Sequence, residues 1–475
     1  MEKTLPVSVL NQYPPAGEAA VSALLQAELA RNDTKFIVLD DDPTGVQTVH
    51  DVSVYTDWSV ESISQGLLED TRLFYILTNS RALTPAQTEA LHREIAANAA
   101  EASKRAGKKF LFISRSDSTL RGHYPLETQV LRDCLESAGQ PVDGEILFPY
   151  FKEGGRFTLH HTHYVQYGVQ LVPAAQTEFA KDASFGYTHS DLTQYIAEKT
   201  HGAYRAEDVT TISIEELRAQ DYDAIVSKLM QVTGFGKVTV DALDDCDVKI
   251  FAVALYRAMA RGKTFLFRTA ASFVKAAGGI STIPYLQRKD MQPERDGRGS
   301  LVIVGSHTEK TTAQLHALLQ LPETEPIAFD SDLVLQGEFA LAREVERCVA
   351  LEEKAILEGK VAVCYTKRTL LHFDSDTEES ALRRSVRISE SVQALAGQLR
   401  VKPAFLIAKG GITSSTIGTQ ALRVRRALVL GQILPGIPVW RTGAESKFPG
   451  MAYVIFPGNV GDTDSLRRAV EILTK

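Results

Sequence analysis

The chain has 475 residues, room for about two to four domains at roughly 100 to 200 residues each, and its 44% hydrophobic and 23% charged residues exclude a disordered, collagen-like or membrane-bundle chain. Lys and Arg total 52 against 59 Asp and Glu, a formal charge of −7, so the surface has no general attraction for nucleic acid or anionic lipid and an anionic ligand needs a local site. Four scattered cysteines (Cys134, Cys246, Cys348, Cys364) without a C-x-x-C argue against a disulfide framework or a thiolate zinc cluster, and with no leader pattern or long apolar run the expectation is a cytoplasmic protein.

Residues 17–32 place Val21, Leu24, Leu25 and Leu29 at helical spacing, which predicts an amphipathic helix packed on a domain as an N-terminal arm. Short β-branched and aromatic runs follow at Lys35–Leu39, Val52–Thr56, Leu73–Leu77 and Lys109–Ile113, with a helical segment from Pro85 to Lys104 between the last two. The alternation continues at Gly168–Val172, Lys237–Val240 and Lys263–Phe267. Strands alternating with helices imply a largely parallel α/β sheet. The polar, aperiodic stretch Gln287–Gly299, which contains Pro293, marks a domain boundary. A second unit then alternates Leu301–Val304, helices at Lys310–Leu319 and Glu338–Leu357, Val361–Tyr365, a long helix near Glu379–Leu399, and Ala404–Ala408. The apolar stretch Ala427–Trp440, broken by Pro435 and Pro438, is core strand and turn. No repeat of 20 to 50 residues is present, which removes solenoids and propellers.

In open α/β sheets ligands sit at the carboxyl ends of strands, so the loops after predicted strands are where chemistry belongs. Asp40-Asp41-Asp42-Pro43-Thr44-Gly45 sets three carboxylates after FIVL, more acid than a turn requires, although Asp, Pro and Gly also simply make turns. Such a cluster suits a hydroxyl-deprotonating base or a Mg²⁺ contact. Arg81 in Thr78-Asn79-Ser80-Arg81 offers a planar fork for a carboxylate, or a surface ion pair. Residues 114–123 pack Arg115, Asp117, Arg121 and four hydroxyls into ten positions, a composition poor for helix and good for lining a polar pocket.

In the second half, Gly305-Ser306-His307-Thr308 and Lys409-Gly410-Gly411-Ile412-Thr413 each follow an apolar strand, and Phe456-Pro457-Gly458-Asn459-Val460-Gly461 adds a third glycine-rich loop. Glycine there permits close backbone approach, and the hydroxyls cap helices or reach phosphate oxygens. Together they point to one phosphate-rich ligand. Standard motifs fail: Arg261-Gly262-Lys263-Thr264 has Arg257 where a Walker loop needs its first glycine, and there is no strand-to-helix G-x-G-x-x-G, no H-E-x-x-H and no G-x-S-x-G. His160-His161-Thr162-His163 lacks partners at ligand spacing and reads as a polar segment before a strand.

Taken in order, these pieces resemble the four-carbon acid sugar kinase family, whose members phosphorylate acids such as threonate, erythronate and their oxo-derivatives with ATP. The likeness covers nearly the whole chain after the arm. Its anchors are Asp41-Asp42-Pro43-Thr44-Gly45, Ser80-Arg81, the run Asp117–Gly122, Gly305-Ser306, Gly410–Thr413 and Gly458–Gly461. The resemblance implies two dissimilar α/β domains with mainly parallel sheets and the active site in the cleft between them. On that reading residues 1–33 form the arm, 34–290 the sugar-acid domain and 300–475 the nucleotide domain.

Carried over, Asp41, Asp42, Arg81, Asp117 and Ser118 would contact the sugar acid, with Asp41, Asp42 or Asp117 as the catalytic base and Arg81 with Arg121 facing its carboxylate. Ser306, Gly410, Gly411, Ile412, Thr413 and Gly458 would contact ATP, with Mg²⁺ across its phosphates and no metal ligand assigned. Three positions depart from the family pattern: Asp40 replaces a small residue, Ile412 stands where Glu is frequent, and Ser414 replaces a common Ala. They bear on the substrate more than on the chemistry. Two other classes stay open, a non-ATP isomerase or aldolase acting on a sugar acid and a non-catalytic sensor. The N-terminal helix leaves a homodimer open as well.

Overall fold

The computed structural model describes residues 2–14, 17–292, 297–368, 371 and 378–475. Pro293 of the polar linker, with residues 294–296, lies outside them. The chain divides into two units, the first running to Val49 and resuming over Asp57–Thr282, the second taking His50–Thr56 and Ile283–Lys475.

In the first unit seven strands form a wholly parallel sheet, ordered Thr210–Ile212, Gly236–Val240, Gly144–Phe148, Phe265–Thr269, Phe110–Arg115, Lys35–Asp40, Leu73–Leu77. Parallel pairing needs crossover helices that cover both faces, which is why these strands read as apolar runs without alternation. One crossover is the helix Pro85–Ala106, opened by a capping box between Thr84 and Gln87. The helix Glu18–Ala30 buries Val21, Leu25 and Leu29 and pairs Glu28 with Arg257 at 2.8 Å, so the arm covers its own unit.

Gly168–Val172 does not join this sheet. A link of two residues, Gly168-Val169, is too short for a crossover, so Thr162–Tyr167 and Gln170–Pro173 pair as an antiparallel hairpin. With Arg156–Leu159 and Leu5–Pro6 they make a separate four-stranded sheet. His160 and His161 form the turn between its strands, both at positive φ (48° and 66°), with their backbone N–H groups donating to the buried Asp241 carboxylate at 2.8 and 2.9 Å. The histidine cluster is thus a hairpin turn.

In the second unit five strands are parallel, ordered Thr324–Phe329, Val361–Thr366, Ser300–Val304, Phe405–Lys409, Ala452–Phe456. Ile437–Thr442 and Arg426–Leu434 then add antiparallel strands, the hairpin expected from the proline-broken stretch. Val52–Tyr55 pairs antiparallel with Arg426–Val429, so a strand that precedes most of the first unit in sequence completes the sheet of the second.

A fragment starting at residue 283 would leave Arg426–Val429 as an unpaired apolar edge, the kind of edge that templates aggregation. It should elute from size-exclusion chromatography as large assemblies, and added peptide 50–56 should shift it toward monomer. A monomeric fragment with a cooperative melt and no peptide would show that this strand is dispensable.

Candidate functional site

Parallel register sets Asp40 beside Leu77 on one neighbouring strand and Arg115 on the other, so the loops that follow all three strands leave from one edge. There the acids and arginines meet. Arg81 forks onto Asp41, Nε to Oδ2 at 3.1 Å and Nη2 to Oδ1 at 2.7 Å, and reaches Asp42 Oδ2 at 3.5 Å. Ser116 Oγ donates to Asp41 at 2.7 Å, and Arg115 donates to Asp40 at 3.3 Å. Asp42 turns its other oxygen to the N–H and hydroxyl of Thr44.

Asp117 is held by Arg121 Nε at 2.7 Å and by the Thr119 hydroxyl, both on Oδ2, while Oδ1 has no partner among the described residues. Burial alone would raise this carboxyl, but Arg81 and Arg121 outweigh it and hold Asp117 well below the usual carboxylate range. Asp42 is also lowered against its burial, by Arg81 and Thr44. Asp40 goes the other way: burial, with the charges of Asp41 and Asp42, overcomes Arg115 and pushes it up to about 8. Ser118 is buried, and its carbonyl accepts from His163 Nε2 at 2.8 Å.

Both arginine loops pass through a left-handed residue, Asn79 at φ 51° and Leu120 at φ 68°. A leucine there is strained, and the strain is held by tyrosines: Tyr187 donates to the Thr119 carbonyl at 2.8 Å and Tyr195 to the Leu120 carbonyl at 2.9 Å. Gly122 follows at φ 118°, where a Cβ would lie 2.7 Å from Arg268 Nη2.

Three charged residues of this region carry no signal in the sequence reading. Arg268 and Glu127 pair at 2.6 Å; Glu127 accepts from Ser80 and Ser114, and Arg268 donates to the Arg121 carbonyl at 3.0 Å, tying both arginine loops to a buried frame. Opposed by burial, the Arg268 and His92 charges still draw Glu127 down to about 2. Arg156 shares the Phe179 ring with Arg121, the two guanidinium carbons 5.5 and 5.1 Å from its centroid. Unlike Arg81 and Arg121, Arg156 has no carboxylate in ion-pair contact among the described residues. These residues are lone charges scattered through ordinary strand and helix sequence, and only the fold assembles them.

The second unit builds a different edge. Val304, Lys409 and Phe456 are in register on adjacent parallel strands, so the three glycine loops leave side by side. A Cβ on Gly305 would lie 2.2 Å from Thr413 Oγ1, and one on Gly458 would lie 3.1 Å from Ser306 Oγ. Gly410 has φ 129° and is packed just as closely against Thr413 and Ser306. The loops interlock through Thr311, whose hydroxyl donates to Ser306 Oγ and to the Gly458 carbonyl, both at 3.1 Å. Lys409, fully buried, donates to the Pro457 and Gly458 carbonyls at 2.6 and 3.1 Å, and burial lowers it to about 7. Gly411 opens a short helix whose Ile412 side chain is 71% exposed. Beside Thr413 lies a cavity of about 220 Å³ lined by His307, Thr366, Ile388, Val392 and Ile412.

Two family models match the chain, a sugar-binding N-terminal domain over residues 36–277 and a nucleotide-binding C-terminal domain over residues 301–466. The chain belongs to the four-carbon acid sugar kinase family. Solved structures share the family fold at low identity. A Haemophilus influenzae protein is 16% identical over 92% of this chain and 100% of its own, with a TM-score of 0.60. A Salmonella typhimurium LT2 protein, provisionally named a tRNA synthase, is 17% identical over 92% and 98%, with a TM-score of 0.67. No curated protein matches the chain in a sequence search. No described helix is long and apolar enough to cross a membrane.

Asp40 is a third carboxyl beside the Asp41-Asp42 pair, and its raised value has a consequence for stability. The unfolded chain ionises Asp40 above its ordinary value of 3.8 while the folded chain keeps the proton up to about 8. Folding is therefore disfavoured progressively as pH rises between those values. Asp40→Asn, which mimics the protonated form, should melt at the higher temperature above pH 8 and show a flatter decline from about pH 5 to 8. Parallel melting curves for the two proteins would mean that Asp40 is ionised in the fold.

Proposed function

We propose that the chain is an ATP-dependent kinase that phosphorylates a hydroxyl of a small sugar acid of four carbons, such as threonate, erythronate or an oxo-tetronate. The reading is carried by one pairing: an ionised carboxylate with an open oxygen among arginines in the sugar-binding domain, and three glycine loops in the nucleotide-binding domain, where a Cβ on Gly305 would overlap Thr413 and Gly410 holds a φ of 129°. An isomerase or aldolase would have no use for the second.

In this reading Arg156, the guanidinium without a carboxylate, receives the acid group of the substrate, helped by Arg121. Arg81 keeps Asp41 and Asp42 in place and so shapes the floor of the site. Asp117 Oδ1 accepts the hydrogen bond of the reacting hydroxyl and takes its proton late. A strongly lowered carboxyl is a weak base, which suffices because phosphoryl transfer passes through a loose transition state that gains more from alignment than from early deprotonation.

On the other domain the backbone N–H groups of Gly411, Thr413 and Gly458 and the hydroxyls of Ser306 and Thr413 surround the phosphates, Gly410, whose own N–H is held by the Phe456 carbonyl, allows close approach, and the cavity edged by Ile388, Val392 and Ile412 takes the base. Mg²⁺ would neutralise phosphate charge. Among the described residues no three His, Cys, Asp or Glu side chains gather as a metal site.

A coupled ADP-release assay over stereoisomers of four-carbon sugar acids should find turnover that depends on one acid. Asp117→Asn should then lower kcat on the order of 10²- to 10⁴-fold, whereas Arg156→Met should raise KM for the acid and leave kcat nearly unchanged. No acid-dependent release, joined to no ATP binding by calorimetry, would favour a non-ATP enzyme, and an unchanged KM in Arg156→Met would remove that residue from the site.

A further inference from the structure

In the first unit the helices Glu18–Ala30, Asp245–Ala260 and Ala271–Ala277 enclose a cavity of about 310 Å³. None of the carboxylates and arginines described above lines it. Leu25, Val248 and Ile280 give it apolar walls, and the chain closes one side with Gly279–Thr282 just before it leaves the unit at Ile283.

Its charged groups balance. Lys249 Nζ donates to Glu18 Oε1 at 2.8 Å and to Ser22 Oγ at 3.1 Å, so this pair satisfies itself. One cation and one anion remain. Lys275 Nζ donates only to the Thr282 hydroxyl, at 2.8 Å, and Asp245 accepts the Tyr150 hydroxyl at 3.2 Å; neither has an ion-pair partner among the described residues. Ser272 adds an independent sign of a ligand: it is 5% exposed, and its hydroxyl has no hydrogen-bond partner among the described residues. Buried hydroxyls of that kind are uncommon because the lost hydration goes uncompensated, and a ligand bonded there restores it.

We propose that this cavity binds a small aliphatic α-amino acid as its zwitterion, with the carboxylate on Lys275 and Ser272, the ammonium on Asp245 and the side chain against Leu25, Val248 and Ile280. A simple anion would leave the Asp245 charge desolvated beside it with only the Tyr150 hydroxyl, and a simple cation would leave Lys275 with only the Thr282 hydroxyl. A polyhydroxylated acid would waste the apolar walls.

Calorimetric titration of the full chain tests this with L-leucine and L-valine, and with two analogues of leucine, 4-methylpentanoate, which lacks the ammonium, and 3-methylbutylamine, which lacks the carboxylate. One of the amino acids should bind, and the analogues should bind roughly 10- to 100-fold more weakly, the range for losing a charged hydrogen bond. Lys275→Met and Asp245→Asn, checked for an unchanged melting temperature, should each weaken binding by a similar factor. The proposal is overturned if neither amino acid binds, if an analogue binds as tightly as its parent, or if both folded variants keep full affinity. The comparison of ligands on the unaltered chain decides the matter even where a variant does not fold.

Discussion

Three adjacent carboxylates at the end of a buried strand repel one another and lose their water, and the candidate site of the first unit is organised around relieving that conflict. Arg81 relieves it for Asp41 with a two-pronged fork and for Asp42 with a longer contact. Asp40 relieves it differently, by holding its proton while Arg115 lies against it. The geometry that results is stiff. Removing Arg81 would leave buried charge uncompensated, which costs far more than the pair itself contributes. The same logic extends outward, since Glu127 and Arg268 bind the two arginine loops through Ser80, Ser114 and the Arg121 carbonyl.

The second unit builds its loop edge from glycines and hydroxyls, without the carboxylate cluster of the first. A Cβ on Gly305 would overlap Thr413 Oγ1, Gly410 turns at φ 129° against Thr413 and Ser306, and the Thr311 hydroxyl joins Ser306 to the Gly458 carbonyl. Three cations hold the loops through carbonyls: Lys409 donates to Pro457 and Gly458, Lys310 to Asn459 and Arg368 to Ser306. Recognition by backbone suits a phosphate chain, whose oxygens are many and equivalent, whereas the side-chain cluster of the first unit suits a small acid with distinct groups.

Much of this was legible in the chain because parallel strands are apolar throughout and their loops carry compact polar motifs. The acid run at 40–42, Ser80-Arg81, the 117–122 run and the glycine loops all lie at strand ends in the structure. What escaped reading depends on contacts distant in sequence. Nothing local in Val52–Tyr55 says that its partner is Arg426–Val429, and nothing in Gly154-Gly155-Arg156 says that Phe179 will seat this arginine beside Arg121. The hairpin at Gly168 was misread because an apolar run has the same composition whether the link before it is a crossover or a two-residue turn. Arg81 is legible as a polar-site residue, yet its two-pronged engagement with Asp41 is not, because that contact joins loops 40 residues apart in sequence.

In the proposed reaction phosphate passes from ATP to the hydroxyl of a sugar acid and not to water. Phosphorus-31 NMR of the chain with Mg²⁺, ATP and the four-carbon acids tests it most directly. The account predicts a new phosphomonoester resonance that grows in step with the ADP signals and is absent without the acid. ADP appearing with inorganic phosphate alone, or ATP persisting unchanged with every acid, would contradict it.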